Sequence, residues 1–442
     1  MMIKSNTQYT SSLHALSVAT LICTGCASAK SGPTPSAKAP VASIKAPAQI
    51  SLTGPFQSAS VVTFSPEGTL FVADSGTGKV YALNPGESSN PAAQAPYNLK
   101  GVDAKLAALL GTTSQNVRIR DMAVHPQTKE LYLSVGRVTG ESYASAIVVL
   151  NQLGVPRLLD LSVPMKVVQI PFAPASGFAF YDEVPARDLS ITDIEYHDGR
   201  LYVAGLSNAD FASSLWSVPV PFDDGSKVST TTVEIYHAIH NQQETRAPIR
   251  TMKIARLNGE DHLIAAYTCT PLVVIPLKSI QNGAHVVGKT IGELGYGNTP
   301  ADLITFTGQD AQQKPFEVLF LSNKNQAAQV MGLAAIEAAV QKEGLSKPLA
   351  LTKFDFGAKD VPMTSLMQVA DQDPYHLVVV RRDVEEGDIE AVSYLKNVYF
   401  RLSDFQSEYE IPGYSYTEDQ KALRDFQNMM KKDEGKEKFV VQ

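Results

Sequence analysis

Short runs of β-branched and aromatic residues, separated by Gly, Pro, Asn and Asp, fill the chain from about residue 50 to residue 410. The clearest stretch, residues 61–83, has three apolar runs separated by a Pro-Glu-Gly and a Gly-Thr-Gly turn, which predicts an antiparallel meander. Five further copies of this unit follow at intervals of tens of residues, as in repeat architectures. The equivalent first-strand positions are Val61, Asp121, Asp193, Thr251, Asp302 and Ser365.

The wording of residues 61–83, VVTFSPEGTLFVADSGTGKVYAL, resembles NHL-type and related β-propeller repeats. The resemblance implies an all-β fold, a six-bladed β-propeller. Seven blades are the alternative, because the widest gap between repeats contains Val167–Phe172 and Gly177–Tyr181. A propeller closes when one end of the chain completes the blade made by the other, and Ile50–Leu52 is the predicted closing strand.

Two segments have helical rather than strand periodicity. Residues 102–110 predict a short amphipathic helix between the first two repeats. Near the C-terminus, Thr417 begins a Thr-Glu-Asp-Gln capping box, after which Ala422, Leu423, Phe426 and Met430 share one helical face. We expect this helix to dock on the flank of the propeller, with a partner-binding helix as the alternative.

The N-terminal segment has the features of an export signal. The apolar run Leu13–Gly25 is too short to span a bilayer but suits a signal-peptide core. It ends at Thr24-Gly25-Cys26, which resembles a bacterial lipobox, although Cys23 stands where an aliphatic residue is usual. The resemblance implies acylation at Cys26 and an outer-membrane lipoprotein. A plain secretory signal cut near Ala29, giving a soluble periplasmic or secreted protein, is the alternative.

The predicted organisation therefore has four parts. Residues 1–25 are a signal peptide, 26–49 a Pro/Ala/Ser-rich tether, 50–412 the propeller, and 413–442 the C-terminal helix and tail. Once the leader is removed and Cys26 is acylated, Cys269 is the remaining cysteine, which excludes an intramolecular disulfide.

Charge and motifs narrow the function classes. A formal charge of −7 argues against a nucleic-acid partner, because phosphate contacts need a basic footprint. The sequence has no Cys-x-x-Cys-His haem motif, no Gly-x-Ser-x-Gly elbow, no P-loop and no EF-hand loop. It therefore identifies no cofactor, and whether the protein is an enzyme stays open.

Aspartates recur at the first-strand position, which lines the central channel of a propeller. Three like charges there need compensation by a metal ion, water or basic side chains, for which Arg118, Arg120 and Arg250 are nearby. Alternatively, each carboxylate bonds backbone amides of the adjacent blade. The predicted ligand-binding residues are Asp121, Asp193, Asp302, Arg120, Arg250 and Asn298, the last from the turn before the fifth repeat.

A second candidate site has metal-ligand spacing. On a helix, His237, His240 and Glu244 would share a face and present three transition-metal ligands. Ordinary surface-loop histidines are the alternative. We expect Cys269 to lie in a strand as a small buried side chain, with a thiolate ligand or nucleophile as the alternative.

The function that these features favour is a membrane-anchored extracytoplasmic propeller that binds a protein partner or a small ligand at its rim or channel. The alternative is a metal-dependent hydrolase resembling propeller lactonases, with a cation in the channel. Against the alternative, Val61 stands where the resemblance calls for a first-blade Glu. A quinoprotein-type propeller is disfavoured, because Trp216 is the single tryptophan.

Overall fold

A computed structural model describes residues 52, 54–86, 95–140, 142–174, 179–180, 184–208, 212–295, 297–309, 314–349, 357–383, 386–404 and 421–440. These residues belong to one compact unit, Ala46–Gln442. The predicted signal peptide, the tether, Ile50 and Ser51 lie outside the described residues. No helix in the described part is long and apolar enough to cross a bilayer.

Strands dominate the described chain. In chain order they are β1 (Ala59–Phe64), β2 (Leu70–Asp74), β3 (Lys79–Leu83), β4 (Asn98–Leu99), β5 (Val117–Val124), β6 (Leu131–Thr139), β7 (Ser142–Leu150), β8 (Pro156–Leu158), β9 (Met165–Gln169), β10 (Ala179–Phe180), β11 (Val184–Pro185), β12 (Asp193–His197), β13 (Arg200–Leu206), β14 (Ser213–Pro219), β15 (Ser229–His237), β16 (Gln242–Glu244), β17 (Ile249–Leu257), β18 (Glu260–Tyr267), β19 (Pro271–Pro276), β20 (His285–Glu293), β21 (Pro300–Gln309), β22 (Pro315–Asn323), β23 (Ala328–Gly332), β24 (Lys359–Val361), β25 (Leu366–Asp371), β26 (His376–Arg382) and β27 (Ile389–Leu395). The helices are α1 (Val102–Leu110), α2 (Leu333–Val340) and α3 (Lys421–Asp433).

The large sheets are built from four-stranded antiparallel units. Unit 1 is β1-β2-β3-β9, unit 2 is β5-β6-β7-β8, unit 5 is β21-β22-β23-β24 and unit 6 is β25-β26-β27-β4. Unit 3 (β12 to β15) and unit 4 (β17 to β20) join through a parallel pairing of β15 with β20 into one nine-stranded sheet, to which β16 adds. The second strand of each unit is apolar over most of its length, because both faces of a central strand are covered by neighbouring units.

The first strands of the units form a closed ring. Around this ring β1 neighbours β5, β5 neighbours β25, and then β21, β17 and β12 lead back to β1. Six buried hydrophobic clusters fill the spaces between adjacent units, one at each of these six neighbour pairs. A ring of twisted sheets packed face to face around a centre is a β-propeller arrangement. The predicted β-propeller class is therefore confirmed.

The order of units around the ring differs from their order in the chain. Unit 1 lies between units 2 and 3, and unit 2 lies between units 1 and 6. The chain leaves β3 to add β4 to the edge of unit 6, then builds unit 2, and only afterwards returns with β9 to complete unit 1. The first two repeats are therefore interleaved with the last.

This interleaving corrects two expectations. The strand that completes the last unit is β4, in which Asn98 pairs with Val392, whereas Leu52 lies outside any strand. The segment Val167–Phe172, considered for a seventh blade, instead contributes β9 to the edge of unit 1. A two-residue strand such as β4 has no detectable periodicity, so its sequence could not identify it.

Helix α1 has the predicted bounds, whereas α2 was not predicted. Helix α3 is the predicted C-terminal helix, although residues 417–420 of its capping box lie outside the described residues. Glu434, just beyond α3, accepts the backbone N–H groups of Leu402 and Ser403, and Asn98 donates to the carbonyl of Asp433. The buried positions are Gln427, Met430 and Lys431, so the predicted apolar face is wrong at Ala422 and Leu423, which are exposed.

Candidate functional site

Two cavities open at the centre of the ring. The larger measures about 1120 Å³ and the smaller about 700 Å³. Asp121, Asp193 and Asp302 line both, so these carboxylates lie where the two cavities meet. The predicted convergence of the three aspartates on one central space is therefore found in the structure.

Each aspartate bonds the backbone of a neighbouring unit. Asp121 accepts the N–H of Val62 at 2.7 Å, and Asp193 accepts that of Met252 at 2.6 Å. Asp302 accepts the N–H of Val369 at 3.0 Å. The carboxylates thus tie unit 2 to unit 1, unit 3 to unit 4, and unit 5 to unit 6. This is the structural alternative recognised in the sequence.

The second oxygen of each carboxylate is also engaged. Asp193 accepts the N–H of Ile194 at 2.8 Å, and Asp302 accepts that of Leu303 at 2.8 Å. The backbone N–H of Met122 likewise donates a hydrogen bond to Asp121. The amides take up one lone pair on each of these oxygens, which leaves the triad fewer sites for a cation.

Burial and mutual repulsion raise the pKa values of all three aspartates. Burial, followed by the charge of Asp302, raises the pKa of Asp121 well above its usual value. Burial raises the pKa of Asp193 to about 8, against the opposing hydrogen bond from Met252. Burial also raises the pKa of Asp302 to about 6. At neutral pH, Asp193 therefore holds its proton for most of the time.

Bulges in the inner strands shape the smaller cavity. The pairing of first with second strand skips one residue in five of the units, at Ser60, Arg120, Arg250, Ala301 and Met367. All five bulge residues line the smaller cavity. A bulge redirects the side chain of the extra residue, and here it turns two arginines toward the centre of the ring.

The smaller cavity has basic side chains that form no close ion pairs with its described acidic ones. None of its five basic side chains forms an ion pair with an acidic side chain among the residues that the structure describes. Among the described residues, its wall contains one acidic side chain besides the three central aspartates, that of Asp188. The five cations are Arg118, Arg120, Arg250, Lys324 and Arg382.

Two of these cations are held in an unfavourable environment. Burial, with the nearby charge of Arg120, lowers the pKa of Arg250, although Asp193 opposes the change. Its buried Nε atom has no hydrogen-bond partner in the described structure. Burial and the charge of Arg250 likewise lower the pKa of Lys324. The smaller cavity therefore brings together basic side chains that no acidic side chain of its described wall pairs with directly.

The larger cavity is different, because two of its lysines form ion pairs. Lys253 pairs with Glu195 at 2.7 Å, and Lys396 pairs with Asp371 at 2.7 Å. Met429 of α3 contributes to its wall, which places the C-terminal helix at this end of the ring.

The predicted metal segment folds as a hairpin rather than a helix. Strand β15 ends at His237, and β16 returns through Glu244. The Nδ1 atoms of His237 and His240 lie 2.9 Å and 2.7 Å from the same Glu244 oxygen. The three predicted residues therefore lie together, but in a β-hairpin and not on the helical face that their spacing predicted.

Cys269 joins this cluster from the loop between β18 and β19, not from a strand as expected. Burial opposes the charged imidazolium of His237, but hydrogen bonds to Cys269 and Glu244 and the charges of Glu244 and Glu293 raise its pKa to about 9. Burial opposes ionisation of Glu244, yet its hydrogen bonds with His237 and His240 lower its pKa to about 2.

Of the other predicted site residues, Arg120 lies in the central site and Asn298 does not. Arg120 lines the smaller cavity and donates to the hydroxyl of Ser58 at 2.7 Å. Asn298 is buried and lines neither cavity, so it does not join the central site. Sequence reasoning missed Lys324 and Arg382. Lys324 directly follows β22 and Arg382 ends β26, and each is next to a residue that pairs beside a bulge.

No family model and no curated protein matches the sequence. Among solved structures, a glucose dehydrogenase-like oxidoreductase from Thermus thermophilus shares 13% identity, with a TM-score of 0.31, over 77% of this chain and 98% of that chain. The extracellular domains 1–2 of Drosophila semaphorins 1a and 1b share 9% identity, with TM-scores of 0.32 and 0.33. Those matches cover 76% of this chain and 86% and 84% of the semaphorin chains.

These similarities are low, and the class of the protein rests on its own ring of sheets. The chain is a β-propeller protein with repeated four-stranded units around two central cavities. The smaller of those cavities is lined by cations that have no acidic partner in the described part of the chain.

Proposed function

We propose that this protein is a propeller that binds a small multivalent anion in its smaller, cationic cavity. The proposal rests on five basic side chains that surround a space of about 700 Å³. None of them forms an ion pair with an acidic side chain among the described residues. Burial disfavours the charged forms of Arg250 and Lys324, and an anionic ligand supplies counter-charge to both.

The chemistry of the wall defines the ligand class. Arginine guanidinium groups match carboxylate and phosphate oxygens in paired hydrogen bonds, and four of the five cations are arginines. The volume is in the range of small-molecule sites. The ligand is therefore a compact molecule with two or more carboxylate or phosphate groups.

The proton on Asp193 favours this function. An ionised Asp193 would cancel part of the positive field, whereas its raised pKa keeps it mostly neutral at physiological pH. The whole chain carries a formal charge of −7, so the cavity contrasts with the rest of the surface. That contrast steers anions to this site.

Titration calorimetry of the full chain with pyrophosphate and with citrate tests the proposal. We expect one binding site per chain for at least one of these anions, none for neutral sucrose, and weaker binding in high salt. Lys324→Met removes one cation and should weaken binding by about tenfold or more, the equivalent of one charge-assisted hydrogen bond.

Lys278→Met is the matched control, because Lys278 pairs with Glu260 on the exposed surface outside both cavities. Its affinity should equal that of the unmodified protein. Absence of saturable binding by both anions, or equal losses in the two variants, would contradict the proposal.

Anion affinity should depend on pH above neutrality. As pH rises through about 8, Asp193 loses its proton and adds negative charge beside the cavity, so affinity should fall between pH 7 and pH 9. The charged groups that act on Asp193 are Asp302, Glu195, Asp121, Arg250 and Lys253. Calorimetry across this range should show a smaller decline in Asp193→Asn. An equal decline in both proteins would argue against this role of Asp193.

We further propose that each four-stranded unit counts as one blade, which makes six. Export and acylation at Cys26, with the tether holding the propeller at the outer membrane, stay proposals that rest on the N-terminal sequence. Mass spectrometry of the mature N-terminus should find a lipid-modified Cys26. A free N-terminus beyond Cys26 would exclude the anchor and leave export possible. A protein partner at the rim also stays a prediction.

A further inference from the structure

Two imidazoles and a thiol converge at one end of units 3 and 4, outside both central cavities. One ligand atom each from His237, His240 and Cys269 lies within 4.8 Å of the other two. The two imidazole centroids are 3.8 Å apart. We propose that this cluster is a binding site for Zn²⁺ or a divalent ion of similar softness, a property separate from anion binding in the cavity.

The donor atoms indicate the kind of metal. Imidazole nitrogen together with thiolate sulfur selects zinc and its neighbours in the transition series, whereas calcium and magnesium require oxygen ligands. Because Cys269 is partly exposed and the His240 side chain is 47% exposed, the cluster opens to solvent on one side. Three protein ligands with a solvent side are typical of zinc sites that keep a position for water or a substrate.

Carboxylates behind the ligands hold them in place. Glu244 contacts the Nδ1 atoms of His237 and His240 through one oxygen. Glu293, which is fully buried, accepts the N–H of Ala238 at 2.8 Å and also bonds the Thr270 hydroxyl. That hydroxyl lies 2.9 Å from Nε2 of His237, so a metal ion bound at Nε2 would replace this contact while Nδ1 stays with Glu244. Glu244, on the Nδ1 atoms, is in the position of a carboxylate that orients metal-binding histidines and raises their basicity.

Backbone strain occurs at the thiol. Cys269 has a φ of 80°, in the left-handed region that residues with a Cβ avoid. The loop keeps this conformation because Thr268 donates to the carbonyl of Pro248 at 3.0 Å and Leu294 donates to that of Thr270 at 2.8 Å. Strain of this kind is retained where the surrounding structure holds a side chain in a functional position.

Cobalt titration provides the test. In the full chain with Cys23→Ser and Cys26→Ser, Cys269 is the single thiol. After chelator treatment, Co²⁺ should bind at one ion per chain with an intense thiolate charge-transfer absorption in the near ultraviolet, and Zn²⁺ should displace it. Glu244→Gln should weaken affinity by about 10- to 100-fold.

Three variants, each checked for its fold by circular dichroism, make the outcome decisive. Cys269→Ala should abolish the charge-transfer band, and His240→Ala, at an exposed position, should keep the fold and lose at least tenfold in Co²⁺ affinity. His285→Ala is the control, because His285 contacts Glu234 outside the cluster. No stoichiometric Co²⁺, a band that persists without Cys269, or equal affinities of the His240 and His285 variants would overturn the proposal.

Discussion

Replacing Arg250 with Met should raise the stability of the protein in the absence of anions and abolish its response to them. The Arg250 side chain lies near Arg120 and Lys324, its Nε atom is buried without a partner among the described residues, and burial lowers its pKa. Exchanging a poorly compensated buried charge for an apolar side chain of similar length is often stabilising, here by about 1–2 kcal/mol. Urea unfolding with and without pyrophosphate measures both effects.

Arg256→Met is the comparison for this result. Arg256 is 70% exposed and lies 3.5 Å from Asp261, so its loss should change the free energy of unfolding by less than about 0.5 kcal/mol. Loss of stability in Arg250→Met together with unchanged anion binding would mean that Arg250 is a structural residue. A gain in stability with loss of binding is the signature of a site that stores unfavourable charge for its ligand.

Tyr97→Ala should be among the most damaging single substitutions outside the cavities. Tyr97 is fully buried between units 2 and 6, beside β4. Its hydroxyl donates to the carbonyl of Lys129 at 2.8 Å, and its N–H donates to the Ser393 hydroxyl at 2.7 Å. Removing a buried aromatic ring costs about 3–5 kcal/mol. The free energy of unfolding in urea should fall by that amount.

Two further substitutions separate the effect of the Tyr97 hydroxyl from that of its buried ring. Tyr97→Phe keeps the ring and leaves the Lys129 carbonyl without this donor, so it should cost about 1–2 kcal/mol. Tyr375→Ala removes an aromatic side chain that is 72% exposed and should have almost no effect. A small effect of Tyr97→Ala would contradict the assignment of β4 and its flanks as the closing segment of the ring.

The local elements could be predicted because their signal is local. Alternating apolar residues and Gly-containing turns located the first strand of all six units, and helical periodicity gave α1 its bounds. The arrangement of the units could not be predicted, since each presents a similar apolar face and the repeats do not encode which neighbour will cover it. The edge strands β4 and β9 come from segments distant in sequence, so no turn signal connects them to their sheets.

The central aspartates were found by repeat alignment, because equivalent positions point to the same space. Lys324 and Arg382 were missed because they lie outside the aligned first strands. Cys269 was assigned to a strand, yet its positive φ places it in a loop beside His237. That proximity depends on how units 3 and 4 meet, which no spacing in the sequence records.

The interleaved order of units has a consequence for synthesis of the chain. Strand β4 ends at Leu99, but its partner β27 begins only at Ile389. At ribosomal rates of about 5–20 residues per second, the later strand emerges roughly 15–60 seconds after the earlier one. During this interval unit 2 has no unit 6 to pack against, so the apolar side chains of that interface remain uncovered. Any nascent chain that stops before β27 is complete therefore has an open ring, and chaperones and proteases can distinguish it from the finished protein.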